Sequence, residues 1–201
     1  REEDLALERN VVLEEIATVE DTPDDQVFEL FSERLWPDHP YGYSILGTRD
    51  TVGALSAGDL QAVHGTGYYP ANCIVAAAGS VEHTEVLGLL EREGWFDDSG
   101  REPPRAAIEP RPATRGAEHR IGRDSAQTHL VFGSDTFPYR DRRRFALSII
   151  TNVFGGGMSS RLFQRIREDL GLAYSISAFH QPYRAGGLAG VYVATQPGTA
   201  S

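Results

Sequence analysis

Two pairs of side chains in this sequence have the types and spacing to do chemistry. Glu8 and Glu15 are seven residues apart. On a helix that is almost two turns, so both carboxylates share one face, about 10 Å apart along the axis. One carboxylate could ligate a metal ion while the other supports a ligand from behind. The same spacing also fits a solvated acidic face. Arg167 and Tyr174 are the second pair, on either side of Gly171. An arginine and a phenol joined by a helix–turn–strand corner can bind a peptide carbonyl or stabilise an oxyanion. The alternative is a surface arginine and a tyrosine half-buried in a sheet. The histidines offer less. His39, His64, His83, His119, His129 and His180 are scattered, and none forms an H-x-x-x-H or H-x-x-E-H pair. His83 reads as a surface or capping residue at a helix start, and His129 as facing a core or a partner. These residues contain no complete metal site. Gly155-Gly156-Gly157-Met158-Ser159-Ser160 opens a helix as an anion-binding turn does. It lacks G-K-[ST], does not fit G-x-G-x-x-G and follows a helix, so it reads as a flexible turn plus N-cap. There is no G-x-S-x-G and no Cys–His pairing.

These groups depend on the elements that carry them. Residues 2–20 read as a helix with Leu5, Val12, Ile16 and Val19 on one buried stripe. Thr22 is placed to cap a second helix, Pro23 suits its first turn, and Asp24 and Asp25 suit its positive end. That helix is expected to run to about Trp36, with Val27, Leu30, Phe31 and Leu35 inward. Pro37 to Gly42 breaks it, a loop continues through Gly47, and Ser56 starts a short helix ending near Gly65. The apolar run from Asn72 to Ala78 reads as a buried strand, with helix as its rival because of the alanines. A helix over about 82–93 follows. Four prolines between Asp97 and Gly116 mark a linker and the best domain boundary. Beyond it, Ala126 to Gly133 reads as a strand. Arg140 to Phe154 reads as a helix ended by the three glycines, and Ser159 or Ser160 caps another that runs to about Asp169 and is closed by Gly171. Tyr174–Phe179 and Leu188–Ala194 read as a hairpin. Helices mixed with antiparallel-type strands on both sides of the linker predict an α+β fold in two halves.

Composition narrows the function classes. The 201 residues carry 19 basic and 29 acidic side chains, a net charge of −10. That balance argues against binding nucleic acid or an anionic membrane surface, whose phosphates would repel it. No apolar run approaches the ~20 residues needed to cross a bilayer. The single cysteine, Cys73, excludes a disulfide framework and a multi-cysteine metal site, and fits a reducing compartment. All 19 basic residues are arginine, which excludes lysine chemistry within these residues. A chain that opens at Arg1 inside a helix is expected to be a fragment.

In order along the chain stand Glu8-Arg9-Asn10-Val11-Val12-Leu13-Glu14-Glu15-Ile16, His39-Pro40-Tyr41-Gly42 with Ile45-Leu46-Gly47, and Tyr69-Pro70-Ala71-Asn72 leading to Ala78-Gly79-Ser80-Val81. After the linker come Phe154-Gly155-Gly156-Gly157-Met158-Ser159-Ser160-Arg161-Leu162-Phe163-Gln164, Ile166-Arg167-Glu168 and Gly171-Leu172-Ala173-Tyr174-Ser175. Together they resemble the pitrilysin/insulinase superfamily of zinc peptidases, and within it the bacterial relatives of the mitochondrial processing peptidase subunits.

The resemblance implies parts of two homologous metallopeptidase half-domains, each an antiparallel-type sheet packed by helices. Residues 1–97 would be the C-terminal part of the zinc-binding half, 98–116 the linker, and 117–201 the first part of the second half. The family's zinc site is an inverted H-x-x-E-H helix plus a downstream glutamate. Glu15 falls at that glutamate, Glu8 at the accessory acidic position of the same helix, and Arg167 and Tyr174 at the arginine and tyrosine that bind substrate and transition state. H-x-x-E-H is missing, and the family has it upstream of what is here Arg1. The resemblance therefore implies a fragment of a zinc endopeptidase, with zinc in the full-length parent and none in these residues. A peptide is the implied substrate, and a homo- or heterodimer in the bacterial cytoplasm the implied setting, with neither nucleic acid nor membrane as partner. The alternatives are a non-catalytic, peptide-binding partner subunit of the same fold and an unrelated α+β binding module.

Overall fold

The computed structural model describes residues 1–97, 114 and 118–199. Along them run α1 (Glu2–Asp21), α2 (Pro23–Leu35), α3 (Arg49–Ala54), α4 (Ala57–Gly67), α5 (His83–Arg92), β1 (Thr128–Thr136), α6 (Arg143–Gly155), a π-helix (Phe163–Asp169), β2 (Ser175–Pro182) and β3 (Gly187–Thr195). The chain divides into two compact units, Arg1–Asn10 with Asp50–Ala107, and Val11–Arg49 with Ile108–Ser201. The fold class is α+β. The expected linker at 98–116 lies, but for Thr114, outside the described residues.

The second unit is built on one antiparallel sheet in the order β1-β3-β2. β2 and β3 are the expected hairpin, and β1 adds on the other side of β3 with Thr128 opposite Thr195 and Thr136 opposite Gly187. Side chains alternate between the two faces of the sheet. One face packs on α2. Phe28 lies 5.3 Å from the rings of both Phe179 and Tyr192, and Phe31 meets Phe179 edge to face. Two glycines that face each other in the register, Gly133 and Gly190, make room for those rings. A Cβ on Gly133 would sit 2.6 Å from Phe31, and one on Gly190 2.7 Å from Phe179. The core continues through Leu35, Trp36 and Leu188 to Tyr41 and Tyr183. Those two tyrosines stack 4.5 Å apart, and Tyr41 Oη accepts a hydrogen bond from the Ala185 amide at 3.1 Å. The His39-Pro40-Tyr41-Gly42 motif thus anchors the β2–β3 turn, and His39 Nδ1 accepts from the Tyr41 amide within it.

The opposite face of the sheet packs on α6. Gly155 lies so close to β2 that a Cβ there would be 2.3 Å from the Ala178 amide nitrogen. Elsewhere on α6, Phe145, Ile149, Ile150, Val153 and Phe154 are all exposed.

In the first unit, Arg9 on α1 donates to the carbonyls of Val52 (3.4 Å) and Leu55 (2.6 Å) at the C-terminal end of α3. Ser56 and Asp59 form a reciprocal capping box at the start of α4.

Several sequence expectations need correction. The run from Asn72 to Ala78 is not a buried strand. After the 3-10 turn that ends at Asn72 it is irregular and largely exposed, Ile74 at 96%. A strand needs a ladder partner, and among the described residues this segment pairs with none. Thr22 stands at the N-cap of α2 without a side-chain cap bond, because its hydroxyl donates back to the Thr18 carbonyl at 2.6 Å. The residues after Gly47 contain α3, which the sequence reading left out. α6 begins at Arg143, not Arg140, after Asp141 accepts hydrogen bonds from the Arg143 amide and guanidinium. The helix after the glycines is π-wound over seven residues, and the hydroxyl of Ser160 is buried without a partner among the described residues rather than capping it. Only one sheet lies among the described residues, so the expectation of a sheet in each half is not met there.

Candidate functional site

The corner that carries Arg167 and Tyr174 is assembled from local signals. The π-helix ends on Gly171, whose φ of 61° is the left-handed conformation that glycine adopts without strain. The Gly171 amide donates to the Arg167 carbonyl at 3.2 Å and the Leu172 amide to the Ile166 carbonyl at 3.0 Å, closing the helix end. The chain reverses and is then pinned to β3. The Tyr174 amide donates to the Ala194 carbonyl at 2.9 Å, and Thr195 Oγ1 donates to the Leu172 carbonyl at 2.5 Å. Ala173, between the two bonds, is buried. Tyr174 therefore has a fixed backbone and a 69% exposed side chain.

The structure brings the predicted pair together. The Arg167 guanidinium lies over the Tyr174 ring, 5.5 Å from its centre. It also lies 4.8 Å from the centre of the Phe163 ring, one helical turn earlier. Phe163 is the residue that the sequence reading missed. Its signal was the four-residue spacing to Arg167, which places two side chains side by side on a helix. The one acidic neighbour among the described residues is Glu168, whose Oε1 is 3.9 Å from Arg167 Nε, with both side chains largely in solvent. That is a weak pair, so the N–H fork remains available to an incoming acceptor. An arginine fork next to an exposed tyrosine ring can offer its N–H donors to a carbonyl or carboxylate oxygen.

Glu8 and Glu15 both lie on α1, and both are exposed. Neither makes an ion pair or hydrogen bond with the described residues. Nearer the end of α1, Glu20 is bonded through Oε2 by Arg49 at 2.5 and 3.2 Å, and these bonds hold its carboxyl below the usual range. Among the described residues, no group of three or more His, Cys, Asp or Glu side chains is arranged to hold a metal ion. A catalytic zinc takes three protein ligands, so the described residues do not by themselves fit one. Of the histidines, His129 Nδ1 lies 2.9 Å from the Tyr192 hydroxyl, and His83 is exposed at the start of α5.

A family model described as the peptidase M16 inactive domain matches residues 54–201. The chain belongs to the M16 peptidase family. The matched span includes Phe163, Arg167 and Tyr174; Glu8 and Glu15 lie before it. An uncharacterized zinc protease of Streptomyces coelicolor is 39% identical over 203 residues, which cover 98% of this chain and 44% of the relative. The fold is shared with a peptidase M16 inactive domain from Pseudomonas fluorescens, at a TM-score of 0.87 and 22% identity over 98% of this chain and 47% of that one. A chain of complex III2 from Candida albicans shares it at a TM-score of 0.75 and 15% identity, over 94% of this chain and 46% of that one. The M16 chain thus spans just under half the length of these relatives. No helix among the described residues is long and apolar enough to cross a membrane.

Proposed function

We propose that this chain works as part of a zinc-dependent endopeptidase of the bacterial cytoplasm, which hydrolyses peptides or small unfolded proteins inside an enclosed cavity. Arg167 and Tyr174 bind the carbonyl oxygen of the scissile peptide and stabilise the negative charge that grows on it. The observation that carries this reading is the convergence of an arginine fork and an exposed phenol at one rigid corner. Donors already aimed where charge develops need no reorganisation when it appears. Glu15 would supply one carboxylate to a bound zinc, with Glu8 as its accessory acid, and the remaining ligands would have to come from outside the described residues. Bound zinc would supply Lewis-acid polarisation of water and carbonyl. The working protein pairs two half-domains of this kind and assembles as a homo- or heterodimer.

One finding favours a second reading, a non-catalytic partner subunit that holds peptides without cleaving them: the family model that matches is the inactive domain. The two readings separate in the full-length protein. With a quenched fluorescent peptide, Tyr174→Phe should lower kcat about 10²- to 10³-fold, the usual effect of losing an oxyanion donor. Its melting temperature should hardly move, because the hydroxyl is in solvent. Arg167→Lys keeps the charge and loses the planar fork, and it should also lower kcat. Turnover near the parent value in both variants would remove the pair from catalysis. Peptide binding without any turnover in the unmodified protein would favour the partner subunit.

A further inference from the structure

We infer that Phe163 is a positioning residue for Arg167: its ring holds the guanidinium against Tyr174 so that the N–H fork points outward to the substrate carbonyl. The inference rests on the reading of Arg167 and Tyr174 as the carbonyl clamp. Arginine has a long flexible stem, and the guanidinium of Arg167 forms no short hydrogen bond to another described side chain; its single ionic neighbour is 3.9 Å away. A free guanidinium would sample many rotamers and lose that freedom on binding. Two rings instead bracket it, at 4.8 Å (Phe163) and 5.5 Å (Tyr174), both within the ~6 Å over which a cation is drawn to a ring face. Ring faces attract the cation without occupying its N–H donors. A carboxylate in the same place would fix the fork equally well, but would consume the donors and cancel the charge that the growing oxyanion needs.

The two rings differ in anchorage. Tyr174 is 69% exposed and carries the hydroxyl that reaches substrate. Phe163 is half-buried at the start of the π-helix and has no polar atom to offer. π-helical turns are uncommon and occur frequently at functional sites. This one holds Phe163 and Arg167 in a single unit just before the closing Gly171, so the position of Phe163 is passed to the guanidinium within one turn.

The test uses four variants and two readouts. Phe163→Leu keeps an apolar side chain and removes the ring face; Phe163→Trp keeps a ring face. In the full-length protein, Phe163→Leu should lower kcat about 2- to 5-fold, the worth of one exposed cation–ring contact. KM and melting temperature should change little, and Phe163→Trp should recover most of the loss. The second readout needs no turnover. In the 201-residue chain, the Nε–H signal of Arg167 is identified by its loss in Arg167→Lys. It should lose its ring-current shift and gain mobility in Phe163→Leu, and keep both in Phe163→Trp. An Arg167 signal indifferent to residue 163 would overturn the inference, as would equal kcat in all three residue-163 proteins. If Arg167→Lys lowers kcat while Phe163→Leu does not, the clamp stands and the positioning role falls. If Arg167→Lys and Tyr174→Phe are both fully active, the clamp falls and takes the role of Phe163 with it.

Discussion

At the scale of single residues, the candidate site is one corner where the Arg167 guanidinium meets the rings of Phe163 and Tyr174. Arg167 and Tyr174 were legible because a glycine-closed helix and a strand start predict a corner, and the corner exists. Phe163 was not, because an aromatic four residues before an arginine is common on helices and only geometry shows the ring beneath the cation. His180 is a second case that sequence could not reach. Its Nε2 is buried and without a partner among the described residues, and burial, aided by the charge of Arg144, lowers its pKa from the usual histidine value. A folded-state pKa below that of the unfolded chain means that the unfolded chain takes up the proton first as pH falls. Stability should therefore decline from about pH 6.5 downward toward the depressed value, and be unaffected by this group above it. Melting temperatures at pH 7.5 and 5.5 measure the slope, and His180→Gln should flatten it. An unchanged slope in that variant would assign the pH dependence to other groups.

At the scale of elements, what was legible is what local chemistry decides. α1, α2, α4, α5 and the β2–β3 hairpin follow from periodicity, capping residues and turn residues that lie within a few positions of one another. The misread strand and the missed helix fail for non-local reasons. The run from Asn72 to Ala78 has the composition of a strand, but strand pairing is made by a distant partner, and no described residue provides one. α3 contains Thr51, Val52 and Gly53, none of them a strong helix former, and its carbonyl end is held by Arg9, more than forty residues earlier. The packing of α6 on β2 is equally non-local and makes a sharp prediction. Gly155→Ala would place a methyl group 2.3 Å from the Ala178 amide nitrogen and 2.7 Å from its Cβ. The helix must move away from the sheet, and overpacking of this kind costs about 1–3 kcal/mol. Two residues on, a Cβ at Gly157 would meet nothing within 4 Å, so Gly157→Ala should stay within about 0.5 kcal/mol of the parent. Urea midpoints of the two variants give the contrast. Equal midpoints would mean that α6 does not sit on β2 through this glycine.

At the scale of the whole molecule, the proposed chemistry needs groups beyond the described residues. The chain spans 44% of its Streptomyces coelicolor relative, and it brings one candidate zinc carboxylate, Glu15, with no metal-binding group among the described residues. A lone exposed carboxylate binds a divalent cation weakly, because it replaces only one or two waters and supplies a single charge. Tight zinc sites combine three protein ligands whose mutual placement is fixed before the metal arrives. The 201-residue chain on its own should thus bind no stoichiometric zinc after dialysis and cleave no peptide. On the proposed reading, the same side chain would complete a ligand set in the full-length protein. There Glu15→Gln, which keeps the shape and removes the charge, should lower zinc content and kcat together, whereas Glu8→Gln should lower kcat more than zinc content, since Glu8 is assigned a supporting role. Metal analysis of the chain, the full-length protein and the two variants, run beside peptide cleavage, distinguishes the cases. One zinc per isolated chain, lost in Glu15→Ala, would show that these residues form a site of their own. Full zinc and full turnover in Glu15→Gln would move the third ligand elsewhere, and the clamp at Arg167 and Tyr174 would then have to be matched to a different metal position.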